Sequence, residues 1–446
     1  MNVANLELSL VQKINNSTST LDTLIYSKAL QELKTGTVTT VDSFSGLPTA
    51  TASLIGHLFY VKNEEAFYHS VFAQGIYKWV LLRKDVYPLR TWGGNGYGQL
   101  GDGSTTARSS PGTVAGGGTN WCTVSFSETG CHSAGIKTDG TLWTWGLNTG
   151  SQLGDGTTTN RSSPVTTAGG GTNWCCVSVG SLHTIALKTD GSLWSWGFNS
   201  SGQLGDGSTA TRSVPVTVAG GGNNWCAISA GDTHNIALKT DGSLWTWGYN
   251  GQGRLGNGGI SARSSPGTIV GILYDWCSIS AGSCHSAAIT KCGVLYTWGD
   301  NTCGKLGDGT TTSRTSPVSV AGGGSNWCCV SSGFCHTIAV KTDGTVWTWG
   351  GNGYGELGAG TSGYGTNRCS PGTLVGGGTT WNSVSAGMCH SAAIKTDGIV
   401  WTWGANGNGR LGDGTTTARS SPGTTAGCVS SWRQIVSAGR CSTASV

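Results

Sequence analysis

The chain has 446 residues, including 76 glycines and 20 tryptophans, and only 11% of its residues are charged. Its 26 Lys and Arg and 22 Asp and Glu residues give a small net charge of +4. The sequence shows no basic stripe of the kind that nucleic-acid-binding proteins carry. No run of 18 apolar residues occurs, so the sequence predicts no segment inserted in a membrane.

Residues 1–85 differ in kind from the rest of the chain. VANLELSLVQKI and LDTLIYSKALQEL carry apolar residues at helical spacing and predict one or two short helices. Strands rich in aromatic residues are then predicted around the turn KNEE. The small sheet that they would form buries too little surface to be very stable alone. We therefore expect a small α+β docking module, which resembles the attachment regions of bacteriophage tail and appendage proteins. Its docking residues are predicted to be Leu58, Tyr60, Phe67, Tyr77 and Trp79.

From residue 86 onward the chain repeats itself with a period of about 51 residues. The tripeptide Thr/Ser-Trp-Gly recurs at steps of 53, 51, 51, 51, 51 and 54 residues. Self-similarity at such a period is typical of solenoids and propellers. The tryptophans of the tripeptide are Trp92, Trp145, Trp196, Trp247, Trp298, Trp349 and Trp403.

Each repeat predicts four short strands. In the second repeat, WCCVSVG is small and apolar, and HTIALK alternates between two faces. Asp190-Gly191 is a hairpin signal because both residues tolerate a positive φ, and SLWSWG places Trp194 and Trp196 on one face. The last run, VPVTV, contains Pro215, which suits an outer edge strand. The repeat is therefore predicted to form a four-stranded antiparallel sheet.

Closure of the repeats into a ring follows from their size. One small sheet cannot bury its own tryptophans, so neighbouring sheets are expected to pack face to face around an axis. The predicted fold is all-β, a seven-bladed β-propeller over residues 86–446, with the small VSAG-type strands innermost. The C-terminal residues supply two strands and residues 89–93 supply the third, so the two ends are expected to share a composite closing blade.

The repeated pattern Trp-Gly-x-Asn-x-x-Gly-x-Leu-Gly, then Ser-Pro, then Val-Ser-Ala-Gly-x-x-His, resembles the repeats of the regulator of chromosome condensation (RCC1-type) family over residues 89–446. The resemblance implies a seven-bladed propeller with a composite closing blade. The functions it implies are diverse and include nucleotide exchange on a small GTPase, inhibition of a β-lactamase and binding of other partners.

Residues present in every repeat are expected to serve the scaffold. We therefore interpret the repeated tryptophans as core residues. Arg90 and Tyr296 replace the first tryptophan of the Trp-x-Trp pair in their repeats, and both are candidate partner-binding residues. Six histidines share another repeat position; equivalent positions on separate blades lie too far apart for ligands at about 2.1 Å from one ion, so hydrogen bonding between strands or blades is expected instead of a metal site. These are His132, His183, His234, His285, His336 and His390.

A third ring consists of arginines that follow the Gly-Asp-Gly loops. In five repeats the loop aspartate is a natural ion-pair partner, but Asn257 and Ala359 replace it in the other two while the arginines remain. A structural role toward loop carbonyls is favoured, and contact with an anionic partner is the alternative. The candidate residues are Arg108, Arg161, Arg212, Arg263, Arg314, Arg368 and Arg419.

The cysteines also follow the repeat, and equivalent positions in successive blades are expected to exceed the Cα separation of about 7 Å that a disulfide tolerates. Two adjacent pairs, Cys175-Cys176 and Cys328-Cys329, are expected to point to opposite faces of a strand. Reduced thiols acting as small apolar residues are predicted.

No phosphate loop, calcium loop or asymmetric catalytic cluster interrupts the repeats, so a non-catalytic protein without cofactor is predicted. The favoured hypothesis is a component of a phage virion, docked through residues 1–85 to other virion proteins or a host surface component, with homo-oligomers formed through the same module. The alternative is a soluble, partner-binding propeller, such as a regulator of a small GTPase or an enzyme inhibitor. No secretory signal is present, which favours the cytoplasm for the alternative.

Overall fold

The computed structural model describes residues 39–41, 58–61, 66–73, 76–81, 89–116, 120–127, 130–220, 222–271, 275–427, 432, 435–437 and 442–445. The chain divides into two compact units, Met1–Tyr87 and Pro88–Val446. The helices predicted before residue 39 lie outside the described residues. Within the described ranges, no helix has the length and apolar character needed to cross a membrane.

The first unit contains one four-stranded sheet in the order β1-β2-β3-β4. β1 runs parallel to β2, and the other two pairings are antiparallel. The predicted docking residues lie on β2, β3 and β4, where Tyr60 is paired with Phe67 and Phe72 with Tyr77. The strands are β1 (Thr39–Val41), β2 (Leu58–Val61), β3 (Ala66–Ala73) and β4 (Ile76–Leu81).

The second unit is a β-propeller of four-stranded antiparallel blades. Six blades, rather than seven, are built from four consecutive strands. They are blade A, β7 (Trp121–Phe126), β8 (His132–Lys137), β9 (Leu142–Gly146) and β10 (Arg161–Thr166); blade B, β11 (Trp174–Val179), β12 (His183–Lys188), β13 (Leu193–Gly197) and β14 (Arg212–Thr217); blade C, β15 (Trp225–Ala230), β16 (His234–Lys239), β17 (Leu244–Gly248) and β18 (Arg263–Thr268); blade D, β19 (Trp276–Ala281), β20 (His285–Thr290), β21 (Leu295–Gly299) and β22 (Arg314–Ser319); blade E, β23 (Trp327–Ser332), β24 (His336–Lys341), β25 (Val346–Gly350) and β26 (Arg368–Thr373); and blade F, β27 (Trp381–Ala386), β28 (His390–Lys395), β29 (Val400–Gly404) and β30 (Arg419–Thr424). Short 3₁₀ turns occur at Gly251–Gly253 and Tyr364–Thr366.

The remaining strands of this unit form one further four-stranded sheet from both ends of the chain, which we call the composite sheet. It contains β5 (Arg90–Gly93), β6 (Arg108–Thr113), β31 (Ile435–Ser437) and β32 (Ser442–Ser445) in the order β31-β32-β5-β6. β32 pairs antiparallel with β5, with Thr443 opposite Trp92. β31 also contacts β7 of blade A and β27 of blade F.

The tryptophans of the Trp-Gly motif form the wedges of the core, as predicted. All seven are fully buried, and each contributes roughly 2–3 kcal/mol of burial energy. In blade C, Trp247 packs with Trp225 and with Ile185 and Leu187 of blade B. The first strands of successive blades contact one another, so they lie nearest the axis and the fourth strands form the outer edge.

A repeated hydrogen-bond clamp joins each blade to the next. The loop before the fourth strand of blade A presents the carbonyl of Gln152, which accepts Trp196 Nε1 at 3.0 Å and Thr184 Oγ1 at 2.9 Å from blade B. Gly154 lets this loop lie flat on blade B because its φ is +66° and a Cβ there would be 2.6 Å from the ring of Trp196. The equivalent tryptophan-accepting carbonyls belong to Gln99, Gln203, Arg254, Lys305, Glu356 and Arg410.

Candidate partner-binding surface at the outer edge

Five of the seven ring arginines pair with the aspartate of the loop that precedes them. In blade B, Asp206 Oδ1 accepts bonds from the backbone and hydroxyl of Ser208, and Oδ2 lies 2.8 Å from Arg212. Burial alone would raise the pKa of Asp206, but these hydrogen bonds and the guanidinium hold it below its usual value. The arginine therefore braces its own loop. The pairs are Arg108–Asp102, Arg161–Asp155, Arg212–Asp206, Arg314–Asp308 and Arg419–Asp413, at 2.7–2.9 Å.

Blades C and E lack this brace. Where Asn257 and Ala359 replace the acid, Arg263 and Arg368 each donate one bond of 3.1 Å to a carbonyl of their own strand, Thr268 and Thr373. Neither has an ion-pair partner among the described residues. Among the described residues each of these guanidinium groups makes one hydrogen bond, which leaves most of its N–H donors available to a carboxylate from outside.

The same two blades carry most of the exposed large apolar side chains. Six of the eight such residues that the structure describes belong to them. Rim patch C consists of Tyr249, Ile260, Arg263 and Val270, and rim patch E consists of Tyr354, Tyr364, Arg368 and Val375. The apolar members are 40–81% exposed.

Rim patch E is built around the three extra residues of the fifth repeat. Gly363 N donates to the carbonyl of Asn352 at 2.8 Å, and the amide of Asn352 donates to Thr366 Oγ1 at 2.8 Å. These bonds hold the ring of Tyr364 beside Gly353, where a Cβ would lie 3.3 Å from it. Tyr364 is 81% exposed, and Gly353, which its ring approaches, directly precedes the half-exposed Tyr354 in the chain.

Rim patch C has the regular loop length but a different surface. Ile260, 67% exposed, stands where five other repeats have threonine. Val270 follows the outer strand at a position that is alanine in the five braced repeats and valine only here and at Val375. A Cβ atom placed on Gly258 would lie 3.8 Å from a methyl group of Val270. The repeats that lack the loop aspartate are also the repeats that gain apolar residues, and this could have been found by aligning the seven repeats and comparing these positions.

Arg90 and Tyr296, the other predicted partner-binding residues, lie on third strands rather than in these patches. Both are half-buried. Tyr296 packs on Trp276 at 5.5 Å between ring centroids, edge to face, in the way that the tryptophan it replaces packs in other blades. In five blades a lysine lies over this aromatic pair, as Lys188 does over Trp194 at 4.2 Å. Tyr296 is therefore a core substitution at this position.

Five of the six ring histidines, His132, His183, His234, His285 and His336, bond through Nε2 to a side chain of the following blade, as expected. His183 Nε2 lies 2.9 Å from Asn235 Oδ1 of blade C; since that oxygen only accepts, Nε2 carries the proton. Burial lowers the pKa of His183 to about 4. All six are buried, and burial lowers the pKa of each. Among the described residues, no group of three or more His, Cys, Asp or Glu side chains is arranged to hold a metal ion.

Buried charges under the loops were missed by sequence reasoning. The residue whose carbonyl forms the clamp is glutamine in three blades but Arg254, Lys305, Glu356 or Arg410 in the others, all at most 9% exposed. Lys305 pairs with the buried carboxylate of Asp300. Burial raises the pKa of Glu356. These groups lie beneath the surface, so the rim patches remain the accessible departures from the repeat.

The RCC1-like domain profile matches residues 88–445. The ultraviolet-B receptor UVR8 of Arabidopsis thaliana is 33% identical over 299 residues, which cover 65% of this chain and 67% of UVR8. Human HERC2, an E3 ubiquitin-protein ligase, is 31% identical over 62% of this chain, and the match spans only 6% of HERC2. Among solved structures, Prp20p from Saccharomyces cerevisiae superposes with a TM-score of 0.69 at 19% identity, covering 82% of this chain and 91% of Prp20p. None of these proteins is a virion component, so the favoured virion hypothesis has no support.

Proposed function

Because the chain belongs to the RCC1-like domain family, we propose that it is a non-catalytic, protein-binding propeller whose partner contacts rim patches C and E. One observation carries the proposal: the two blades whose arginines lack a carboxylate are the two that expose most of the large apolar side chains, three each of the eight described. Exposed apolar residues beside a free arginine are typical of interaction surfaces. The partner is expected to present carboxylates flanked by apolar residues.

The proposal is tested with variants that restore the repeat consensus. Asn257→Asp, Ile260→Thr and Val270→Ala give blade C the residues of its braced neighbours, so the variant is expected to fold normally. Partners are captured from extract of the source organism with the wild-type chain, and the affinity of each purified partner is then measured. The restored chain is expected to bind at least about tenfold more weakly, as for loss of a 1.4 kcal/mol contact.

Exposed apolar residues outside the patches provide matched controls. Val214 is 41% exposed on β14 and Tyr97 is 46% exposed beside the composite sheet. Val214→Ser and Tyr97→Ser are expected to leave the affinity unchanged. Equal losses in the controls and in the restored chain would contradict the proposal.

We propose two specific roles within this class, a regulator of a small GTPase and an enzyme inhibitor. Prp20p, whose fold this chain shares, is described by its binding to Gsp1p and histones. Release of fluorescent nucleotide from purified GTPases, with and without this protein, tests the first role. If no GTPase is affected and the captured partner is an enzyme, its residual activity at saturating propeller tests the second.

We also infer that the composite sheet closes the ring as its seventh blade. The clamp continues on both sides of this sheet. The backbone carbonyl of Arg410 in blade F accepts a hydrogen bond from Trp92 Nε1 at 3.0 Å, and the backbone carbonyl of Gln99 accepts one from Trp145 Nε1 of blade A at 2.9 Å. Closure would leave the two rim patches on a rigid frame, which favours binding because little ordering is required.

A further inference from the structure

Two cysteines from neighbouring blades border the same small space. Cys303 lies in the loop that follows β21 of blade D, and Cys335 lies in the turn between β23 and β24 of blade E. A Cβ atom placed on Gly351 would lie 3.0 Å from the Cβ of Cys335 and 3.8 Å from the Cβ of Cys303. Both cysteines are half-buried free thiols. They occupy different positions of the repeat, so the separation that excludes disulfides between equivalent positions does not apply to them.

The clamp between blades D and E holds these two segments against each other. Lys305 follows Cys303 by two residues, and Thr337 follows Cys335 by two residues. The backbone carbonyl of Lys305 accepts a hydrogen bond from Thr337 Oγ1 at 2.8 Å. The loop that carries Cys303 is therefore fixed beside the strand that follows Cys335.

The interface between blades A and B gives the separation of the two positions. Gly150 and Leu182 are the equivalent residues there, and the carbonyl of Gln152 accepts a hydrogen bond from Thr184 Oγ1 at 2.9 Å, as Lys305 does at 2.8 Å. A Cβ atom placed on Gly150 would lie 3.6 Å from the Cβ of Leu182. Disulfides join residues whose Cβ atoms are about 3.5–4.5 Å apart, so these two positions have the separation that a disulfide needs.

Of the seven repeats, this one alone has cysteine at both positions. The repeats that have cysteine only at the position of Cys335 have tyrosine, glutamine or asparagine at the position of Cys303. Gly351 also stands where blades B and C have Phe198 and Tyr249, so this position adds no side chain over the pair. Two thiols and a glycine thus coincide at one interface.

We propose that Cys303 and Cys335 form a disulfide that joins blade D to blade E when the protein meets a low-molecular-weight disulfide. Burial raises the pKa of Cys335 to about 12, so Cys303 is expected to react first. Its thiolate bonds to one sulfur of the small disulfide, and the other sulfur leaves as a thiolate. The Cys335 sulfur then attacks the Cys303 sulfur of the mixed disulfide, and its proton passes to the second leaving thiolate. One small disulfide is reduced to two thiols while two protein thiols are oxidised to one disulfide.

The bond would add a covalent link beside the clamp of the same two blades. Closing a loop of about 30 residues restricts the unfolded chain, so the oxidised protein is expected to melt about 3–5 °C higher than the reduced protein. Reduction with dithiothreitol is expected to remove this increase.

The test uses the full, reduced chain treated with oxidised glutathione, blocked with N-ethylmaleimide and digested with trypsin and chymotrypsin for non-reducing mass spectrometry. Most chains are expected to yield one peptide pair linked through Cys303 and Cys335. Cys284 provides an internal control, because it occupies the position of Cys335 in blade D opposite Gln252. It is expected only as a blocked thiol or a glutathione adduct.

Cys369 is the competing partner, because its Sγ lies 2.8 Å from the Cβ position of Gly304, the residue after Cys303. A linkage of Cys303 to Cys369 in place of Cys335 would overturn the proposal. So would a Cys303–Cys335 linkage that forms only in urea, since the folded blades would then not bring the thiols together.

Two variants separate the disulfide from other effects of oxidation. Cys335→Ser is expected to trap the glutathione adduct at Cys303, and Cys303→Ser is expected to leave Cys335 without a partner. Both variants are expected to lose the increase in melting temperature. The absence of the linked pair in the wild-type chain, or an equal increase in Cys303→Ser, would contradict the assignment.

Discussion

Lowering the pH from 7.5 to 5.5 is expected to destabilise the propeller through its buried histidines. Burial lowers the pKa of His132 to about 3 and those of His183 and His336 to about 4. In the unfolded chain these groups titrate near 6.5. Below that value the unfolded state binds protons that the folded state rejects, so stability is present above the unfolded pKa and is lost as the pH falls through it.

The magnitude follows from the size of the shifts. Each histidine loses about 1.3 kcal/mol of stabilisation between pH 7.5 and 5.5, close to the 1.36 kcal/mol of one pH unit. The three histidines with assigned values therefore account for about 4 kcal/mol. Burial lowers the pKa values of His234, His285 and His390 in the same direction. Carboxylates such as Asp206, with a pKa below 3.8, lose their contribution only at lower pH.

The assay is urea unfolding at both pH values, followed by tryptophan fluorescence, since 19 of the 20 tryptophans lie in the propeller. His183→Gln retains an N–H donor toward Asn235 but cannot titrate. Its unfolding free energy is expected to fall by about 1.3 kcal/mol less than that of the wild-type chain between the two pH values. A pH dependence below about 1 kcal/mol in the wild type, or one unchanged in the variant, would refute the assignment of neutral, buried imidazoles.

Three further changes test the scaffold by thermal and urea unfolding. Ser151→Gly is expected to stabilise by about 0.5–1 kcal/mol, because Ser151 has a φ of +61° where the other six repeats have glycine; no gain would mean that the serine is unstrained. Asp206→Asn is expected to cost only about 0.3–1 kcal/mol, since Arg212 is 40% exposed and Asn257 keeps the equivalent loop bonds in blade C; a larger loss would show that the brace orders the whole loop. Deletion of residues 432–446 is expected to cost roughly 2–3 kcal/mol or more, because Trp432 packs near Trp92 and β32 pairs with β5; an unchanged melting temperature would contradict closure.

Much of the fold could be predicted from the sequence because repetition makes local signals reinforce one another. The Trp-Gly period located the third strands, and Asp-Gly located the turns before them. Pro215 marked an outer edge strand, which is β14. The antiparallel pairing of β32 with β5 was implied by the missing strands at the two ends, although the register was not. These inferences depend on backbone pairing and burial, which the residue types themselves dictate.

The candidate surface could be predicted only in part, because a break in a repeat shows where the chain differs but not whether the position is exposed. Arg90 and Tyr296 were conspicuous substitutions, yet both lie half-buried on third strands. Ile260 and Tyr364 were overlooked, although they are among the most exposed apolar residues described. The first strand of blade B also has a β-bulge between Trp174 and Cys176, which was missed because nothing in WCCVSV distinguishes a bulged strand from a regular one.

Every clamp in the propeller runs in the same direction, with the loop of one blade accepting bonds from the tryptophan of the following blade. Each contact is therefore a head-to-tail interface between unlike surfaces, repeated along one chain. Trp92 Nε1 donates its hydrogen bond to the backbone carbonyl of Arg410, although the two residues are 318 positions apart in the chain. The contacts between blades therefore do not depend on where the backbone is opened. A circular permutant opened in a glycine-rich linker, such as residues 169–171, is expected to present the same succession of interfaces.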